Sequence, residues 1–199
     1  MDAPLTVLHL GCGRKKTLAD IGLVLQRDGH AVEMRLINLD SNPDVAPDIL
    51  CRLGLDPITL EDDSVDLAIA HHVIEHIGAA HRLEEWWGFW AEVYRVLKPQ
   101  GQVLFECPYH TSVWAWADPT HCRGITEYTF LYLNQDAYRC GGSIPDYRPP
   151  CDFVVARIEK IPDRVNADVR ALEPISMITG TLVARKPLRP YWIVTGKEN

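Results

Sequence analysis

Positive charge is scarce in this sequence: 20 Lys and Arg stand against 27 Asp and Glu, for a formal net charge of −7 and a pI near 5.6. A dedicated nucleic-acid binder needs a basic footprint to displace counterions, so this balance argues against DNA or RNA as the partner. Long apolar runs are missing too. No stretch approaches the roughly 18–20 residues of a membrane span, and no secretory signal precedes the cysteines. Cysteine occurs six times, never with CxxC spacing. Cys107, His110, His121 and Cys122 match no tight zinc-ligand template, so the expectation is no metal centre. Together these absences predict a cytoplasmic chain with reduced thiols, several of them buried in strands.

Internal repeats and low-complexity tracts are lacking as well. What remains, 47% hydrophobic and 24% charged residues over 199 positions, is ordinary globular composition. A chain of this length buries enough apolar surface to fold without disulfides or metal. We expect one domain over 1–199, with an insertion at about 109–150.

Along the chain, "TVLHLGC" (6–12) reads as a short strand ending in glycine. "TLADIGLVLQRDGH" (17–30) places Leu18, Ile21, Val24 and Leu25 on one helical face, with Thr17 as N-cap and Gly29 as stop. "AVEMRLINLD" (31–40) alternates like a strand and ends on an acid, and "ILCRLGLD" holds a short third strand. "SVDLAIAHHV" (64–73) has the near-continuous apolar run of a buried parallel strand. "HRLEEWWGFWAEVYRVLKP" (81–99) is the clearest helix, its tryptophans spaced for a core face. Strand "GQVLFECP" (101–108) follows, then a looser segment with a helix near 127–138. Strands at 152–161 and 176–185 close the pattern, the last pair antiparallel. Strands alternating with helices predict an α/β fold: a mostly parallel seven-stranded sheet with a late antiparallel strand and helices on both faces.

This pattern makes "LHLGCGRKK" (8–16) the expected ligand loop, because Gly11 and Gly13 allow a tight turn and close backbone approach. A dinucleotide fingerprint needs a third glycine where Lys16 stands, and the Gly-Lys-Ser/Thr ending of a P-loop is absent. Asp40, at the end of the second strand, can accept hydrogen bonds from both hydroxyls of a ribose. Loop and acid together describe an adenosine-containing ligand without a demanding phosphate site.

"LHLGCG", "INLDSNPDVAPDIL", "LEDDSVDLAIAHHVIEHI" and "WAEVYRVLKPQGQVLFECP", in that order, resemble the class I S-adenosylmethionine-dependent methyltransferases, with their Rossmann-like fold. The resemblance covers residues 6–108, and "DPTH" (118–121) and "TGTLVARKP" (179–187) extend it. It implies S-adenosyl-L-methionine as cofactor. Gly11, Cys12 and Gly13 would lie against its methionine part, Asp40 would bind the ribose, and Ser41 would sit beside the adenine. Cys51, Arg52 and Leu53 would flank the adenine ring, and His71 would sit near the sulfonium. Two departures stand out: His9 replaces the usual acid before the first glycine, and Arg52 stands where an acid often takes the adenine amino hydrogen. Asp56 is the candidate substitute for that acid.

Methyl transfer from a sulfonium is an in-line displacement that asks the protein mainly for alignment and exclusion of water. A base is needed only where the acceptor must lose a proton. Candidate bases are His110 and His121, with His72 beside them; His72, Trp114, Trp116 and Asp118 are candidates for the acceptor pocket, since irregular loops above the sheet edge carry specificity. Glu75 and His76 read as local packing. The Asn/Asp-Pro-Pro-aromatic motif of DNA amino-methyltransferases is replaced by "AHHV", and the Pro-Cys nucleophile of cytosine C5 enzymes is absent. The expected acceptor is a small molecule or a biosynthetic intermediate, methylated on O or N. The competing reading is a catalytically inactive, cofactor-binding subunit of a methyltransferase complex, suggested by His9 and Arg52. A nicotinamide-dependent oxidoreductase is disfavoured by Lys16.

Overall fold

Strand β1 (Leu5–Leu10) lies in the interior of the sheet in a computed structural model that describes residues 3–27, 29–78, 82–139, 144–162 and 175–188. The other strands are β2 (Gln26–Arg27), β3 (His30–Ala31), β4 (Met34–Asp40), β5 (Ile49–Leu50), β6 (Val65–His71), β7 (Leu97–Pro108), β8 (Phe153–Pro162) and β9 (Ile175–Ala184). Seven of them form one sheet in the order β5-β4-β1-β6-β7-β9-β8. The first five run parallel, with registers such as Leu8↔Ile37, Leu8↔Ala68 and Ala70↔Phe105. β9 enters antiparallel between β7 and β8, with Phe105 opposite Gly180. The expected sheet is therefore present, and its parallel strands bring their carboxyl ends to one edge.

One face of the sheet is dry. Helix α1 (Leu83–Val96) buries Trp86, Phe89, Trp90, Val93 and Tyr94 in the same cluster as Leu8, Leu10, Ala68, Ala70, Val103 and Phe105. Short helices α2 (Trp114–Ala117) and α3 (Asp136–Arg139), and a 3₁₀ helix at Glu127–Leu133, shape the segment after β7. Thr126 and Thr129 cap that 3₁₀ helix reciprocally, and its Phe130 and Leu133 join the main cluster.

The helix expected over 17–30 does not form. One turn starts at Thr17 and stops at Gly22, whose φ is +64°. The Leu23 N–H donates to Leu18 O at 2.9 Å and the Gly22 N–H to Ala19 O at 3.1 Å, the paired bonds of a Schellman stop. Beyond it, β2 and β3 pair as a small antiparallel ribbon around Gly29. The side chains of Ile21, Leu23 and Leu25 nevertheless pack on Val7, Leu67 and Ile69, so turns cover the second face where a helix was expected. Val24, assigned to the buried stripe, is exposed.

Among the described residues five cysteines, Cys12, Cys51, Cys107, Cys122 and Cys151, carry free thiols. No helix among those residues is long and apolar enough to cross a membrane.

The second face also carries a buried imidazole, His9, and a half-buried one, His71. His9 and His71 meet edge to face at 6.5 Å, and burial lowers the pKa of both from the ordinary 6.5. Their neutral forms fit the folded state, so acid favours unfolding: stability should be full above about pH 6.5 and fall as the pH drops through that value. His72 works in the opposite direction, since Glu75 raises its pKa, but it is half exposed and its contribution is screened. We expect a lower urea midpoint at about pH 5.5 than at about pH 7.5, and a smaller difference in His9→Gln. An unchanged pH dependence in that variant would remove His9 from the account.

Candidate active site

The loop after β1 is shaped by contact, not by flexibility alone. Gly11 sits at φ +60°, and a Cβ there would lie 2.7 Å from Val73 Cγ2. Only glycine lets this strand end pass beneath the end of β6. The next turn is tied to β4: the Gly13 N–H donates to Asp40 Oδ2 at 2.8 Å, and the Asn42 N–H donates to Asp40 Oδ1 at 2.9 Å. Each carboxylate oxygen keeps acceptor capacity, so the acid is oriented and still able to take two hydroxyls. Lys16, in the place of the missing third glycine, folds back and donates from Nζ to Cys12 Sγ at 2.9 Å.

Two cavities open at this sheet edge. The smaller, about 420 Å³, is lined by Gly11, Asp40, Ser41, Arg52, Leu53 and His72 among others, with Cys51 and Leu55 beside them. The larger, about 630 Å³, is lined by His72, His76, Trp114, Asp118, His121 and Met177 among others. Both volumes are in the range of small-molecule and cofactor sites. His72 and His76 line both, so the cavities meet at those two residues.

The wall beside Arg52 is rigid. Gly54, at φ +82°, would place a Cβ 2.4 Å from Glu85 O, so the 52–55 loop lies directly on α1. Arg52 is engaged within that loop: Nε and Nη2 donate to the two oxygens of Asp56 at 2.9 and 2.7 Å, and the Arg52 N–H donates to Oδ2. This pairing holds the Asp56 carboxyl down at about 2. It also commits Asp56 to Arg52 instead of the cavity.

The residues singled out in the sequence are distributed unevenly. Gly11, Asp40, Ser41, Arg52 and Leu53 line the smaller cavity, whereas Cys12 and Gly13 lie behind it in the turn. His71 faces His9 on the second sheet face and lines neither cavity, and neither does His110. Trp114, Asp118 and His121 line the larger one, and Trp116 instead donates from Nε1 to His110 O at 2.8 Å.

His72 holds the junction in a strained backbone, φ +54°. Its Nδ1 is 3.4 Å from Glu75 Oε1, and its Nε2 is 4.0 Å from Glu106 Oε1. The Glu75 interaction raises its pKa above the ordinary 6.5, with Glu106 adding to it and burial opposing. Glu75, His76 and Glu85 carry weight that the sequence reading did not assign them. Glu75 and Glu85 are both buried, and His76 and Glu85 line the smaller cavity. The signal was a charged pair inside the apolar run "VIEHI".

Residues 8–105, just under half of the chain, match the family model of a methyltransferase domain. The chain is similar to a SAM-dependent methyltransferase from Archaeoglobus fulgidus, at 17% identity and TM-score 0.55, covering 92% of this chain and 87% of that one. It is similar to a complex of the Haloferax volcanii Trm112 methyltransferase activator with the putative methyltransferase, at 18% and 0.58, covering 96% and 87%. A third is the Burkholderia thailandensis 1,6-didemethyltoxoflavin-N1-methyltransferase with bound 1,6-didemethyltoxoflavin and S-adenosylhomocysteine, at 13% and 0.52, covering 92% and 72%. No match was found among curated protein sequences. Sheet order and matched segment give the chain the fold of the class I S-adenosylmethionine-dependent methyltransferases. The Gly11 passage and the oriented Asp40 carboxylate suit an adenosyl ligand such as S-adenosylmethionine.

Proposed function

We propose that this methyltransferase transfers a methyl group to an O or N atom of a small-molecule acceptor, or of a biosynthetic intermediate, held in the larger cavity. The meeting of the two cavities at His72 and His76 carries the reading, because it offers a cofactor and an acceptor a shared wall. Residues 1–199 act as one cytoplasmic domain, with 109–150 as the acceptor-side insertion. The acidic balance of the chain favours such an acceptor over nucleic acid.

When bound, S-adenosylmethionine supplies an electrophilic methyl group on a good leaving group. Asp40 would hold its ribose, Gly11 would leave room for its methionine part, and Ser41, Arg52 and Leu53 would flank its adenine. The protein's remaining task is alignment of the acceptor. Trp114 would stack on one side of it and Asp118 would accept a hydrogen bond from it. His72, at the junction, takes the acceptor's proton at Nε2 or Nδ1 when the acceptor has one to lose.

Calorimetric titration with S-adenosylhomocysteine, with NADH as control, followed by transfer of labelled methyl into a small-molecule library, tests the reading. Micromolar binding of the first ligand alone is expected. His72→Gln should keep that binding and lower kcat by about 10²–10⁴-fold on a proton-losing acceptor. The neutral imidazole is the active form, so the rate should rise with pH through a pKa above 6.5 and level off beyond it. S-Adenosylhomocysteine binding without transfer to any acceptor would instead favour the inactive partner subunit.

A further inference from the structure

Among the described residues, Glu75 is a buried carboxylate with both oxygens unsatisfied by hydrogen bonds. Its side chain is 2% exposed, and its nearest ion-pair neighbour is the half-exposed His72, with Nδ1 3.4 Å from Oε1. Burying an ionised carboxylate without partners is costly, and the usual compensation is a cation or a set of donors. The groups facing it are imidazoles. One ring nitrogen each from His76 and His121 and one Glu75 oxygen all lie within 4.8 Å of one another. His121 Nε2 is 4.0 Å from Glu75 Oε1 and 4.0 Å from Asp118 Oδ2.

The hydrogen bonds around the cluster set the tautomers. His121 Nδ1 is 3.1 Å from the carbonyl of Ala115, which can only accept, so Nδ1 carries the proton and Nε2 the lone pair. The Thr120 hydroxyl donates to Asp118 Oδ1 at 2.6 Å, so its oxygen accepts from His76 Nδ1 at 3.0 Å. His76 Nε2 is then the basic nitrogen. Both rings thus have one nitrogen anchored by a carbonyl or hydroxyl and the other free to ligate, the second-shell pattern of metal-binding histidines. The two chain segments are also fastened together. The Cys122 N–H donates to Glu75 O at 2.9 Å, and Arg123 donates to the carbonyls of Ile77 and Gly78 while stacking 4.0 Å above Trp86.

We infer that Glu75, His76 and His121 form a binding site for a divalent transition-metal ion of the zinc class. Two imidazoles and one carboxylate suit such an ion, and soft thiolate is not required. Asp118 Oδ2 is within reach of a fourth position, and with Glu75 it would neutralise the ion's charge. His76, Asp118 and His121 line the larger cavity, so the ion is accessible from it. There it would hold an oxygen of the acceptor. That role rests on the acceptor reading of the cavity, whereas metal binding does not.

Titration of the full chain with Co²⁺, read by visible absorption, tests the site directly. One equivalent should bind with d–d bands of low coordination number, without a thiolate-to-cobalt charge-transfer band, and Zn²⁺ should displace it. Glu75→Gln and His121→Asn should each weaken binding by at least about 10-fold, and Cys122→Ser should not. S-Adenosylhomocysteine affinity, measured in parallel, reports folding, because neither Glu75 nor His121 lines the cofactor cavity. Loss of that affinity in the wild type would overturn the cofactor site and leave the metal result standing. Absence of stoichiometric Co²⁺ binding, a thiolate band, or affinity unchanged in both variants that still bind S-adenosylhomocysteine would overturn the metal site.

Discussion

Asp40→Ala should weaken S-adenosylhomocysteine binding by about 100-fold or more. Two hydrogen bonds to a charged acceptor would be lost, each contributing about 1.5–3 kcal/mol, and about 1.4 kcal/mol corresponds to tenfold in affinity. A second effect adds to the first. The carboxylate is the hydrogen-bond partner of both the Gly13 and Asn42 N–H groups, so its removal also frees the glycine turn that lies behind the cavity. Asp40→Asn keeps one oxygen and the side-chain shape, and should retain more affinity than alanine. Calorimetric titration separates the two variants, with the thermal midpoint as a check on folding. An alanine variant that binds as tightly as the wild type would mean that Asp40 is a loop anchor only, and that the ribose lies elsewhere.

What could be read from the sequence was mostly local. Gly11 and Asp40 stand at the ends of strands whose apolar alternation is plain, and strand ends in a parallel sheet share an edge. Gly22 stands inside a helical stripe of four apolar residues, and the Schellman stop it makes prevails over that periodicity. Arg52 looked like a lost adenine contact, while its real partner, Asp56, is one helical turn along the sequence. Glu75 and His121 show the other limit. They are brought together by backbone bonds between segments more than 40 residues apart, such as Cys122 to Glu75, and no spacing rule in the chain announces such a meeting.

Trp90→Ala should cost about 3–5 kcal/mol of folding stability, a large part of the total for a domain of ordinary stability. Trp90 is fully buried and touches four rings edge on: Phe89 at 4.9 Å, Trp86 and Phe153 at 5.6 Å, and Phe130 at 6.2 Å between centroids. These rings come from α1, from the 3₁₀ helix after β7 and from β8, so one side chain joins three parts of the fold. Its indole Nε1 has no hydrogen-bond partner, which means that part of its burial is already opposed by an unsatisfied donor. Trp90→Phe removes that donor together with some apolar area, and should cost under about 1.5 kcal/mol, because the volume change is partial. The two variants also differ in where they fail. Phe130 and Phe153 face Trp90 from beyond β7, so the alanine variant should loosen the acceptor-side segment before the loops that carry Gly11 and Asp40. Urea unfolding should therefore show a lowered midpoint, and below the transition S-adenosylhomocysteine binding should persist. A cost below about 1 kcal/mol for alanine would mean that the surrounding rings collapse into the cavity, and that the joint is made by Phe105 and Phe130, 4.4 Å apart, instead.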